Sequence, residues 1–176
     1  MYLELEYYGQ NDGTCVPNLT LTGDPGTDNA ALTAAGYNSG AIVSILYNGA
    51  TTPGVLNLIV HPLDGATSLT GAAPEVPYGF LLLGAGQFSS SITPSGSGKT
   101  PVVRAFPKFK VPASQVTGST PLNGQRLYTA NVGGSVGPGM FTATPGSANT
   151  AGSIVVGICT HPISATEPWL GVASFL

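Results

Sequence analysis

Charge is what this sequence has least of: Asp, Glu, Lys and Arg make up 7% of 176 residues, against about 25% in an ordinary soluble domain. Such a chain cannot cover itself with a charged shell. Its surface must be neutral polar plus apolar, and surfaces of that kind tend to associate, because net charge far from zero is what keeps proteins apart. Low charge does not mean disorder here. Disordered segments combine low hydrophobicity with high net charge, whereas this chain is 42% hydrophobic with a net charge of −3.

Other absences narrow the class further. Two cysteines, Cys15 and Cys159, are too few for a disulfide framework. The opening residues, Met1-Tyr2-Leu3-Glu4-Leu5-Glu6, contain neither a basic stretch nor an apolar core of the secretory type, so a reduced, intracellular protein is expected, and the acceptor pattern Asn18-Leu19-Thr20 matters only for a secreted chain. No apolar run approaches the roughly 20 residues of a membrane helix. At this length one domain, residues 1–176, is expected, with a core of its own.

What is abundant is turn-forming residues, 25 glycines and 15 prolines, and they punctuate short apolar runs in the manner of strands. In Tyr2–Tyr8, Leu3 and Leu5 alternate with Glu4 and Glu6, which predicts a strand with one wet face. A loop-rich stretch over residues 9–40 follows, with a short strand at Asn18–Leu21. Further strands are predicted at Ala41–Tyr47, Val55–Val60, Tyr78–Phe88, Val102–Val111, Gln125–Val132, Gly139–Thr144, Ser153–Cys159 and Leu170–Leu176. The one helical candidate is Asp28–Ala35, capped by Asp28. The pattern predicts an all-β chain: an antiparallel β-sandwich of jelly-roll type, with about eight strands and long loops.

No catalytic constellation stands out. Ser91–Phe106, "SITPSGSGKTPVVRAF", contains Gly98-Lys99-Thr100 and invites a phosphate-loop reading. That loop needs a glycine where Thr93 stands and a helix after the Thr, whereas Pro101-Val102-Val103-Arg104-Ala105-Phe106-Pro107 reads as extended chain. His61 and His161 each end an apolar run before a proline, which suits strand-end capping better than a catalytic base. Two His and two Cys without ligand spacing do not make a zinc site. "GDPGTDN", with Asp24, Asp28 and Asn29, is rich in oxygen ligands, so calcium shared across a subunit contact is the one metal possibility; turn chemistry accounts for the same residues. No cofactor-binding residue is identified.

The single charge cluster is Lys99, Arg104, Lys108 and Lys110, four of the five basic residues, interleaved with Phe106 and Phe109. Cations with aromatics between them can track a phosphate backbone and stack bases, which makes these four the candidate polyanion or RNA contact. A strand with one solvated side gives the same alternation. Exposed aromatics at Tyr37, Tyr47, Tyr78 or Trp169 would instead suit a non-catalytic binding module, an adhesin or carbohydrate-binding domain.

The stretches "GQRLYTANVGG" and "ANTAGSIVVGICTHPIS", covering the last third of the chain, resemble the closing strands of the shell domain in coat proteins of small non-enveloped icosahedral plus-strand RNA viruses. In those strands a glycine turn leads into a strand that ends near a proline. The resemblance implies a jelly-roll capsid subunit, shell or protruding domain, assembled in the host cytoplasm into the virion. It also implies other copies of the chain as partners, with genomic RNA or a host receptor as further ones. Two family features are missing from the sequence: an arginine-rich N-terminal arm and the interfacial aspartate clusters for calcium.

Overall fold

The computed structural model describes residues 10–17, 19, 22–46, 59–63, 76–81, 100–104, 108–130, 134–145 and 154–176. Among them the chain is mostly β, in two sheets. The first contains β1 (Gln10–Pro17), β2 (Ile42–Leu46), β3 (Ile59–Pro62), β4 (Pro77–Leu81) and β5 (Thr100–Arg104). Its order is β1-β3-β2-β4-β5, and β1 also pairs with β5, which closes the sheet into a barrel. The second contains β6 (Lys108–Pro112), β7 (Val116–Thr117), β8 (Arg126–Thr129), β9 (Phe141–Thr142), β10 (Val155–His161) and β11 (Trp169–Ser174) in the order β6-β11-β10-β8-β9-β7.

The described residues thus hold eleven strands, not about eight, two of them only two residues long. Pairing is antiparallel except at β1–β3 and β7–β9, which are parallel. The stretch read as one strand, Val102–Val111, is two: β5 closes the barrel while β6 edges the second sheet. Residues 9–40 are not a long loop, since they contain β1 and the helix α1 (Pro25–Ala34). The polar run Gln10-Asn11-Asp12-Gly13 has low strand preference, and pairing with β5 overrides it. The expected strand at Tyr2–Tyr8 lies outside the described residues.

Burial locates the core between the sheets. Ile42 and Phe80 from the barrel join Val111, Leu127, Phe141, Val156, Cys159, Leu170 and Val172 from the second sheet in one buried cluster. Phe80 is the contact point, its ring 4.7 Å from that of Phe109 and stacked at 5.8 Å on that of Phe141. A second cluster, Leu32, Tyr37, Ala41, Val43 and Leu81, packs α1 against the barrel. Consecutive residues Ile42 and Val43 therefore serve different clusters, as period-2 alternation requires.

Gly139 joins the two sheets through the backbone. Its N–H donates to the Leu63 carbonyl at 2.8 Å and its carbonyl accepts from Ile42 N–H at 2.9 Å. It holds φ +75°, and a Cβ there would come within 2.9 Å of Ala41 Cβ and 3.0 Å of the Ile42 carbonyl oxygen. Only glycine combines that conformation with so close an approach.

The helix begins earlier than its composition suggests, and Asp28 is not its cap. Asp24 is: its carboxylate accepts from Thr27 N–H at 3.0 Å, and Pro25 occupies the first helical position, where a missing N–H costs nothing. Asp28 instead turns back to accept from Thr22 N–H at 2.8 Å, Thr22 Oγ1–H at 2.7 Å and Gly23 N–H at 2.9 Å. The Thr27 hydroxyl bond holds Asp24 below the ordinary carboxylate pKa, and the Thr22 backbone bond does the same for Asp28.

A group whose pKa is lowered by folding adds stability that is present above its unfolded value, about 3.9 for Asp, and is lost as pH falls through the folded value. Asp28→Asn is therefore expected to be less stable than the parent at neutral pH, with the difference shrinking below about pH 4. Denaturant midpoints collected from pH 7 to pH 2.5 check this. A gap independent of pH would show that the Asp28 charge contributes nothing.

Candidate polyanion-binding face

Of the four cations of the sequence cluster, Lys108 and Lys110 are described together on one strand. Lys99 lies outside the described residues, and Arg104 belongs to the barrel, paired through its backbone with Gln10. Lys108 and Lys110 stand on β6, both exposed, while Phe109 between them is half-buried against the core and Val111 is fully buried. Lysines outward and apolar residues inward is the arrangement expected of a strand with one solvated side.

Strand register then brings in a residue that the linear sequence keeps apart. Lys108 pairs with Ala173, Ala173 with Ile158, and Ile158 with Arg126, so all four lie on one face, and Arg126 is exposed. Three strand spacings of about 4.8 Å put the Lys108 and Arg126 backbones about 14 Å apart. One step along, Lys110 pairs with Gly171, and Gly171 with His161. Trp169, which opens β11 opposite Pro112, is 46% exposed.

His161 Nε2 meets the Glu167 carboxylate at the surface. The turn that carries Glu167 is closed by its N–H donating to Ser164 Oγ at 3.1 Å and by Ser164 N–H donating to the Glu167 carbonyl at 3.0 Å. His161 is thus engaged at the end of β10, while His61 lies in β3 opposite Ser44, which is 1% exposed. Sealed from solvent, Ser44 could not meet a substrate.

Lys108, Lys110 and Arg126 can neutralise two or three phosphates. For single strands that gives a salt slope of about −2 in log K against log salt, a weak footprint sensitive to ionic strength. Sequence inspection missed Arg126 because only the order β6-β11-β10-β8 makes it a neighbour of the lysines.

The remaining candidates resolve differently. Thr100–Arg104, following Gly98-Lys99, is a strand rather than the helix that a phosphate loop leads into. Both carboxylates of the "GDPGTDN" segment are occupied by nearby hydroxyl and N–H donors, and among the described residues no group of three or more His, Cys, Asp or Glu is arranged to hold a metal ion. Tyr37 is 1% exposed, packed between α1 and the barrel, and so cannot be a stacking platform. Tyr47 lies outside the described residues, and Tyr78 is half-buried.

Cys159 is a free, buried thiol within 3.8 Å of the Pro121 carbonyl oxygen. Burial raises its pKa, which suppresses the reactive thiolate. In the native protein Cys159 is expected to resist a thiol-specific chromogenic reagent and to react promptly in denaturant, with mass mapping of the labelled peptide as the readout. Fast labelling of the native protein would contradict the buried position.

No helix among the described residues is long and apolar enough to cross a membrane. No family model, no curated protein and no solved structure matches this chain.

Proposed function

We propose that this chain is a structural subunit that works by associating with copies of itself, as the coat protein of a small non-enveloped icosahedral plus-strand RNA virus. Its two sheets would serve as a jelly-roll sandwich, either in the shell or as a protruding domain that meets a host receptor. The observation carrying this reading is the exposure of large apolar side chains on a surface nearly devoid of charge. Leu122 is 69% exposed, Val76 61%, Trp169 46% and Phe175 45%. Burying such residues against a neighbour is favourable at about 25 cal/mol per Å², and few charges must be desolvated on the way.

The test is particle size. Light scattering and negative-stain microscopy of the purified protein, at two salt concentrations with and without calcium, should show uniform shells of many subunits, assembled from the cytoplasmic pool as a virion would be. A monomer or dimer under every condition would overturn the reading of a self-sufficient shell. The binding-module alternative loses Tyr37 as a ligand platform because that ring is core.

A further inference from the structure

On the outer face of the second sheet, chemistry-bearing side chains gather around one glycine. Leu170 and Val172 belong to the core cluster, so Trp169, Gly171 and Ala173 take the opposite face of β11. Gly171 lies opposite Lys110 on one side and His161 on the other. A Cβ at Gly171 would stand 2.8 Å from both Thr160 Oγ1 and His161 Cβ, so the position stays bare. Trp169 is two residues along the strand, about 6.8 Å away, and the Glu167 carboxylate meets His161 from the turn before it. The floor is therefore backbone, while the rim carries a half-exposed indole, a lysine, an imidazole, a carboxylate and a hydroxyl.

Charge decides what kind of ligand suits this face. Residues 108–176 hold three basic residues and one acidic one, a net +2, whereas residues 1–107 hold two and seven, a net −5. Register puts all three cations, Lys108, Lys110 and Arg126, on the outer face, where they favour an anion. The one acid, Glu167, sits two residues from the indole and narrows the choice. A phosphate chain stacked on Trp169 would be repelled there, whereas a sugar ring offers C–H groups to the indole and hydroxyls that a carboxylate can accept. Stacking of nucleic acid also uses successive aromatic residues, and Trp169 is the one exposed aromatic residue in the strands of this sheet. A planar carboxylate is best matched by an arginine fork, but the cations beside Gly171 and Trp169 are lysines, point charges that suit a sulfate.

We infer that this face binds a sulfated polysaccharide, with one sugar ring stacked on Trp169 beside Gly171. Its hydroxyls are shared by Glu167, His161 and Thr160, and its sulfates are held by Lys110 and Lys108, about 6.8 Å apart along β6. The inference goes beyond the coat-subunit reading and does not need it. A copy packed over Trp169 and a sugar stacked on it exclude each other, so binding is measured on single chains selected by sedimentation. Silence there overturns the site and leaves the coat reading untouched.

Trp169 is the sole tryptophan, so its emission reports the site directly. Heparin titrated into the full chain at low salt should change that emission saturably, with a slope of about −2 in log K against log salt. Dextran, hyaluronate and polyadenylate should change it far less. Lys108→Gln/Lys110→Gln should weaken heparin binding about tenfold. Trp169→Ala, followed by affinity electrophoresis in heparin-containing gels, should weaken it by a similar factor, with partial recovery in Trp169→Phe. Val76→Ser, which changes an exposed apolar residue beside β4 of the barrel, should bind as the parent does. No emission change with heparin, or an equal response to dextran or hyaluronate, would overturn the inference. Tighter binding of polyadenylate would overturn it in favour of nucleic acid.

Discussion

Phe80→Ala is expected to lose about 3–5 kcal/mol of stability, the range for emptying a large buried aromatic site, and to destabilise both sheets together. Phe80 is 2% exposed and belongs to the barrel through β4. Its ring nevertheless contacts Phe109 and Phe141, which belong to the other sheet. Removing it leaves a void that both sheets line and that neither can collapse alone, because the backbone bonds of Gly139 to Leu63 and Ile42 hold them in position. Denaturant unfolding followed by far-UV circular dichroism and by fluorescence of Trp169, which sits in the second sheet, measures both effects. Coincident transitions displaced by the same amount are the expected result. A loss under about 1 kcal/mol, or a Trp169 transition that does not move, would mean that the sheets are stabilised independently.

Leu122→Asp/Trp169→Asp is expected to abolish large particles while leaving the folded subunit intact. Leu122 is largely in solvent in the isolated chain, at 69% exposure, and Trp169 about half so, at 46%; the Leu122 change should stay within about 0.5 kcal/mol, while the Trp169 change gives up the packed half of its ring without emptying a core site. At a contact between copies the same aspartates would be desolvated without a partner, which costs several kcal/mol per ion and is multiplied over every contact in a shell. Sedimentation velocity of the variant beside the parent, with a melting curve for each, separates assembly from folding. Particles of unchanged size would exclude Leu122 and Trp169 from the contacts. A collapsed melting temperature would assign them to the fold instead.

How much of this was legible beforehand depends on how local each feature is. The alternation Lys108-Phe109-Lys110-Val111 predicts two lysines in water and two apolar residues in the core, and that is where they are, because side-chain alternation is a property of any extended chain. Taken locally, Asp24-Pro25-Gly26 spells a plain turn. The same residues also spell an N-cap followed by proline at the first helical position, and the two aspartates, four apart, divide the work between capping and bracing the turn before the helix.

Other features had no local signal. Gln10–Pro17 is polar, with a glycine in its middle, and becomes a strand because β5 and β3 lie on either side of it. Arg126 joins the lysine face only through two intervening strands drawn from the last quarter of the chain.

By itself the sequence determined a mostly β chain with a charge-poor surface and the facing of each residue along β6, since composition and period-2 patterning act residue by residue. Strand order, the closure of the barrel by β1, the split of one predicted strand between two sheets and the grouping of Lys108, Lys110 and Arg126 were decided only by tertiary structure. These depend on which distant segments pair, and the free energy of that choice lies in packing between strands rather than in the preferences of any one of them.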